Sequence, residues 1–259
     1  MVEPLRWGIL STANIGRAAV IPALKAARDA EVVAVASREL KRAEGFAADH
    51  GIAKAHGSYE ALLADPEIDA VYIPLPNHLH AEWTIRAAQA KKHILCEKPL
   101  AMDAAECDAM AEAAEAAGVL LMEAFMYRFH PRSLQVMELV RSGAVGELRT
   151  IRSAFTFRLR NPDNIRLSPE LGGGALMDVG CYCVNVSRTL AGAEPVAAQA
   201  SARWTGGAPG RGVDDELTGV LHFPDGVTAH FDCALTQERW EFYDCLLYTS
   251  DAADEVVPV

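Results

Sequence analysis

The first half of the chain alternates short apolar runs with alanine-rich stretches of helical period, and this alternation restricts the fold more than any single residue does. The strand candidates are Arg6–Leu10, Glu31–Ala36, Ala70–Leu75, His93–Glu97 and Val119–Glu123. Between them Ala18–Ala27, Lys41–Asp49, Tyr59–Leu63, His80–Ala90 and Ala104–Ala117 read as helices. Strands separated by helical crossovers align in parallel, so the rhythm predicts an α/β fold, a doubly wound parallel sheet with helices on both faces. Such a sheet binds its ligands outside the carboxyl ends of its strands.

After about Phe125 the rhythm changes. Pro131–Arg141 reads as a helix, and Glu147–Leu159 is a long extended stretch with Ile151, Ser153, Phe155 and Phe157 on one face. Leu217, Gly219, Leu221 and Phe223 alternate with Glu216, Thr218, Val220 and His222. Pro224-Asp225-Gly226 makes a turn, and Ala229, Phe231, Cys233 and Leu235 repeat the alternation. These stretches predict a largely antiparallel open sheet with one face covered, in a second, α+β domain. The length of 259 residues accommodates two ordinary domains. Their expected bounds are 1–124, binding a dinucleotide, and 125–244, binding substrate.

Composition excludes several classes of partner. A formal net charge of −11 is the wrong sign for a nucleic-acid backbone. The chain enters strand-like LRWGIL with no basic, hydrophobic leader, and no apolar run reaches the roughly 18 residues of a membrane span, which together predict a cytoplasmic protein with no membrane partner. Cys96, Cys107, Cys181, Cys183, Cys233 and Cys245 lie in apolar surroundings and read as small buried hydrophobes. Cys181 and Cys183 point in different directions on a helix, so no metal is expected.

Three segments follow strands or open helices where chemistry belongs. Ser11-Thr12-Ala13-Asn14-Ile15-Gly16 occupies the place of a phosphate-binding GxGxxG turn but keeps only the last glycine. Ser11 and Ala13 are the smallest departures, and the Ser11 hydroxyl can itself donate to a phosphate. A purely structural strand-to-helix turn fits the same residues. Where NAD sites usually carry an acid, the second strand ends in Ser37-Arg38, with Lys41 and Arg42 beyond. A hydroxyl and a guanidinium suit the 2′-phosphate of NADP; a solvated basic helix start is the alternative. The run KHILCEKPL ends in Glu97-Lys98-Pro99, placing an ammonium at a strand end, where it can polarise a carbonyl or help a hydroxyl lose its proton.

RWGILSTANIG, KHILCEKPL and LGGGALMDVGCY together resemble the glucose-fructose oxidoreductase / inositol dehydrogenase family of nicotinamide-dependent sugar and polyol oxidoreductases, in consistent order from about Leu5 to about Asp244. The resemblance implies a Rossmann domain that binds NADP, with NAD possible, through Ser11, Ala13, Asn14, Ile15, Gly16, Ser37, Arg38 and Lys41, and through Pro76, Asn77, His80, Glu97 and Lys98. It also implies a catalytic group of Lys98, Asp178 and Tyr182. Many relatives carry histidine where Tyr182 stands, and the tyrosine is similar to the dihydrodiol dehydrogenase and aldose dehydrogenase branches. There a phenol beside an ammonium serves as acid or base. A helix start with a packed aromatic also accounts for Asp178 and Tyr182, although three preceding glycines suggest close approach to a ligand. Tyr127 and Arg128 resemble residues bordering the substrate pocket, and an aromatic-cationic packing cluster fits them as well.

The implied activity is NADP-dependent oxidation of an aldose such as xylose or glucose at C1 to the lactone, by a homodimer or homotetramer. The enzymatic alternatives are a trans-dihydrodiol dehydrogenase and a ketose or anhydrosugar reductase; the non-enzymatic one is a cofactor-binding regulator. From Cys245 the chain reads CLLYTSDAADE and resembles one reading frame of a transposase adapter. Residues 245–259 are therefore expected to form a loosely packed artefactual tail on a fragment whose second sheet is incomplete.

Overall fold

A computed structural model describes residues 3–248. The chain divides into two compact units, Met1–Ala124 and Phe125–Val259.

The first unit holds β1 (Leu5–Leu10), α1 (Ile21–Ala26), β2 (Ala30–Ala36), α2 (Leu40–His50), β3 (Lys54–His56), α3 (Tyr59–Leu63), β4 (Ala70–Ile73), α4 (His80–Gln89), β5 (His93–Cys96), α5 (Ala104–Ala117) and β6 (Leu121–Glu123). Its sheet runs β3-β2-β1-β4-β5-β6 with every neighbouring pair parallel, so the doubly wound architecture holds. Consecutive strand residues face opposite cores. Leu10, Ala36, Val71, Ile73 and Ile94 pack with α3, α4 and α5. Ile9, Val35 and Tyr72 pack with Ile21 and Leu24 of α1 and Phe46 and Ala47 of α2. Burying both faces is what makes these strands read as continuous apolar runs rather than as an alternation. Local signals agree with the packing: the Asp103 carboxylate caps α5 by accepting from Glu106 N at 2.9 Å, and Glu106 reaches back to Met102 N at 2.9 Å. The strand order reverses at β1, which lies between β2 and β4, and the crevice at their carboxyl ends is where such sheets bind ligands.

The second unit holds α6 (Pro131–Arg141), β7 (Glu147–Arg158), α7 (Cys181–Ala191), β8 (Ala197–Trp204), β9 (Asp214–His222), β10 (Thr228–Ala234) and β11 (Thr236–Tyr248). Its sheet runs β11-β7-β10-β9-β8. Ile151, Leu217, Leu221, Ala229, Phe231 and Cys233 cover one face together with Val179, Val186 and Leu190. The sheet is largely antiparallel, as expected, and β7 and β10 form its parallel pair. The long connection between them includes α7, and a crossover of that length permits strands of the same direction.

A correction concerns residues from 245 onward. β11 does not stop at Asp244; its pairing with β7 continues through Cys245↔Ile151 to Tyr248↔Glu147. Tyr243 and Cys245 alternate onto the covered face and pack against the apolar cluster there, which extends the strand past the expected boundary. The remainder of the expected tail, 249–259, lies outside the described residues. Among the described residues no helix is long and apolar enough to cross a membrane.

Candidate active site

The turn after β1 leads into a π-helical turn, Gly16–Val20, and then α1. Ser11 stands at the first glycine position of the motif with φ +135°, a conformation that glycine adopts freely and serine does not. Its hydroxyl donates to Pro74 O at 3.1 Å and accepts from Ala13 N at 3.2 Å. The expectation that this hydroxyl donates to a phosphate is therefore corrected: its proton ties the β1 turn to the β4 exit. The donors that remain for an anion are the first-turn amides of Asn14, Ile15 and Gly16, which no helical carbonyl can reach. Two guanidiniums join them at this turn: Arg42 Nε donates to Thr12 Oγ1 at 2.8 Å, and Arg17 Nη2 to Asn14 Oδ1 at 2.6 Å. At the end of β2, Ser37 is buried and its hydroxyl accepts from Glu39 N at 3.4 Å, while Arg38 and Lys41 are exposed. Amides and cations arranged in this way fit the phosphates of a dinucleotide.

Pro76, Asn77 and His78 are half-buried, with a 3₁₀ turn at Asn77–Leu79 leading into α4. His80 is fully buried; its Nδ1 lies 2.8 Å from Pro99 O and its Nε2 2.8 Å from Leu75 O. Both ring nitrogens are occupied within the protein, so His80 is not available as the cofactor contact that the sequence suggested. Burial is also the main cause pushing its pKa down. Glu97 is corrected in the same sense. Its carboxylate is only 8% exposed and accepts a hydrogen bond from the Tyr72 hydroxyl. Tyr72 was missed, although a tyrosine in the apolar strand AVYI requires a buried partner for its hydroxyl. His78 Nδ1, by contrast, is buried without a hydrogen-bond partner. Lys98 is half-buried, and the Lys98–Pro99 peptide is cis.

In the second unit a π-helical turn, Leu176–Gly180, again precedes the helix that carries site residues. Such turns recur at functional positions because they re-aim side chains within a helix. Asp178 accepts from Arg166 Nε at 2.6 Å, and its side chain is only 13% exposed. Arg166 lies in a short 3₁₀ segment, Ile165–Leu167, and no local periodicity marks it as a partner of α7. The glycines before Asp178 are crowded by the chain itself. A Cβ on Gly173 would collide with the Arg166 carbonyl, and one on Gly174 with the Asp214 carboxylate, so close approach to a ligand is not what requires them. Asp214 accepts from Leu176 N at 2.7 Å, and its burial pushes its pKa up.

Tyr182 is half-buried in an aromatic cluster, with ring centroids 5.2 Å from Phe125, 6.0 Å from Tyr127 and 5.4 Å from Phe155. Tyr127 donates its hydroxyl to Asn185 Oδ1 at 2.6 Å, and burial pushes its phenol up. Its role in this unit is to brace α7. Arg128 is exposed. The thiols behave as packed groups, with burial pushing Cys183 up to about 11.

The family described as oxidoreductase family, NAD-binding Rossmann fold matches residues 5–125, and the GFO/IDH/MocA C-terminal domain matches residues 133–251. The chain belongs to the Gfo/Idh/MocA oxidoreductase family. It is similar to D-xylose 1-dehydrogenase (NADP(+)) 2 of Haloferax volcanii, with 45% identity over 255 residues that cover 98% of this chain and 76% of that protein. Trans-1,2-dihydrobenzene-1,2-diol dehydrogenase of Danio rerio is 40% identical over 237 residues, covering 90% of this chain and 69% of the relative. Among solved structures, a 3-ketoreductase from Actinomadura kijaniata in complex with NADP and TDP-benzene superposes with a TM-score of 0.86 at 36% identity, covering 95% of this chain and 75% of that one. The same reductase has been solved with a tyrosine changed to phenylalanine and with a lysine changed to alanine. Gfo/Idh/MocA proteins of this kind are NAD(P)-dependent oxidoreductases acting on hydroxyl or keto groups of sugars and related compounds.

Proposed function

We propose that this Gfo/Idh/MocA protein prefers NADP and oxidises an aldose, xylose or glucose, at C1 to the lactone. The observation that carries the substrate is the similarity to a D-xylose 1-dehydrogenase along 98% of the chain. When bound, NADP supplies the hydride acceptor. The first-turn amides and Arg17 would hold its pyrophosphate, and Arg38 with Lys41 would bind the 2′-phosphate. Tyr182 takes the proton from the substrate hydroxyl, and Lys98 stabilises the negative charge that develops during the transfer. Support for this pair comes from the Actinomadura kijaniata reductase. The interval between its substituted lysine and tyrosine equals the interval between Lys98 and Tyr182. Asp178, held by Arg166, orients the start of α7 rather than exchanging protons. The uncovered face of the second sheet, with Trp240 66% exposed, is the surface for a homodimer or homotetramer.

The test is a matched assay of nicotinamide reduction with D-xylose, D-glucose and a trans-dihydrodiol, each with NADP and NAD, beside NADPH oxidation with a ketose. Aldose-dependent NADPH formation with lactone as product is the expected result. Turnover restricted to the diol or to carbonyl reduction would replace this reading with one of the other two activities.

A further inference from the structure

His80 is a buried titratable group that the proposed reaction does not use, and its two contacts span the strand ends next to the proposed catalytic amine. Leu75 lies on the segment leaving β4, and Pro99 directly follows Lys98 beyond β5. β4 and β5 are neighbours in the sheet. The ring is 0% exposed, with Nδ1 2.8 Å from Pro99 O and Nε2 2.8 Å from Leu75 O. A buried carbonyl without a donor is costly, and an imidazole is rigid, so the ring satisfies one of these backbone groups with its single N–H and fixes the separation of the two segments.

We infer that His80 is the positioning residue of Lys98: by donating Nδ1–H to the Pro99 carbonyl with the rest of the rigid ring set against Leu75, it sets where the ammonium stands without touching cofactor or substrate. The inference rests on Lys98 being the amine of the proposed reaction. The two contacts are not equivalent. Burial favours a neutral ring, and a neutral imidazole donates from only one nitrogen. An asparagine amide reaches near the Nδ1 position and a glutamine amide near the Nε2 position. His80→Asn therefore keeps a donor for Pro99, and His80→Gln keeps one for Leu75.

The experiment compares the wild-type full chain with His80→Asn, His80→Gln and His80→Leu. Three quantities are measured: NADP affinity by fluorescence titration, kcat with the aldose, and the rate of reductive methylation of Lys98 read by mass spectrometry. The expected result is NADP affinity within about twofold throughout, kcat and Lys98 labelling altered about tenfold in the Gln and Leu variants, and both largely rescued in Asn. Equal effects of Asn and Gln would overturn the inference, as would a tenfold loss of NADP affinity with Lys98 labelling unchanged. If the Leu variant does not fold, the Asn and Gln pair still decides. A wild-type protein without turnover would sink the proposed reaction alone, because the labelling rates still report the positioning.

Discussion

Replacing Gly174 with alanine should destabilise the second unit far more than an ordinary glycine substitution does. Gly174 has φ +124°, where an alanine is strained by about 1–3 kcal/mol. Its new Cβ would also overlap Asp214 Oδ1, forcing the carboxylate away from Leu176 N, to which it is bonded at 2.7 Å. A hydrogen bond to a charged group contributes about 1.5–3 kcal/mol, so the two losses together come to about 2.5–6 kcal/mol. Gly192→Ala is the matched control. It too has a left-handed φ of +64°, but no atom lies within 4 Å of the added Cβ, and only the backbone cost of about 1–2 kcal/mol remains. Because two compact units need not unfold together, the assay is hydrogen exchange of peptides from α7, supported by urea unfolding at pH 7. A Gly174→Ala protein no less stable than the Gly192→Ala protein would show that Asp214 relaxes freely and would refute the reasoning.

Arg38→Ala should weaken NADP binding by about 10- to 100-fold, from the loss of a charge-assisted contact, while leaving NAD affinity unchanged in calorimetric titration; unchanged NADP affinity would remove Arg38 from the 2′-phosphate site. The Arg6 guanidinium, bonded to Asp69 at 2.7 and 2.8 Å, holds the Asp69 carboxyl at about 2 against an ordinary 3.8. A depressed carboxylate stabilises the fold above its unfolded pKa. The stability gap between wild type and Asp69→Asn should therefore be full at pH 7 and close as the pH falls from about 4 towards about 2, and a pH-independent gap in urea titrations would contradict the pairing. Tyr127→Phe should cost about 0.5–1.5 kcal/mol by removing the part-buried bond to Asn185, and an unchanged thermal midpoint would show that the bond contributes nothing.

The architecture of the first unit was legible because its inner strands are buried on both faces and its helices on one, so periodicity carries the assignment. Tyr59–Leu63 and Ala104–Ala117 fall where the sequence placed them. The edge strand β3 was not legible, since three half-buried residues give no period to read. In the second unit the alternation in β9 and β10 was plain, but strand direction was not, because it depends on the length and path of connections rather than on side-chain pattern. Site residues divide along a similar line. Ser11, Glu97 and His80 are polar groups near strand ends, as a ligand site requires, yet each is bonded to a segment distant in sequence: Pro74, Tyr72 and Pro99. A sequence shows that a polar group stands at a strand end; it does not show whether the chain itself occupies that group. Arg166 was missed for the converse reason, since only the path of an irregular segment brings it to Asp178.

The central claim is that Lys98 and Tyr182 handle the proton while the first unit holds NADP. Its most direct test is steady-state turnover of D-xylose beside NADP affinity, measured for wild type, Lys98→Met and Tyr182→Phe. The account predicts that each substitution lowers kcat by about 10²–10⁴ while NADP affinity stays within a few-fold of wild type. Full turnover in both variants, or a wild-type chain that binds NADP and reduces none of it with any aldose, would contradict it.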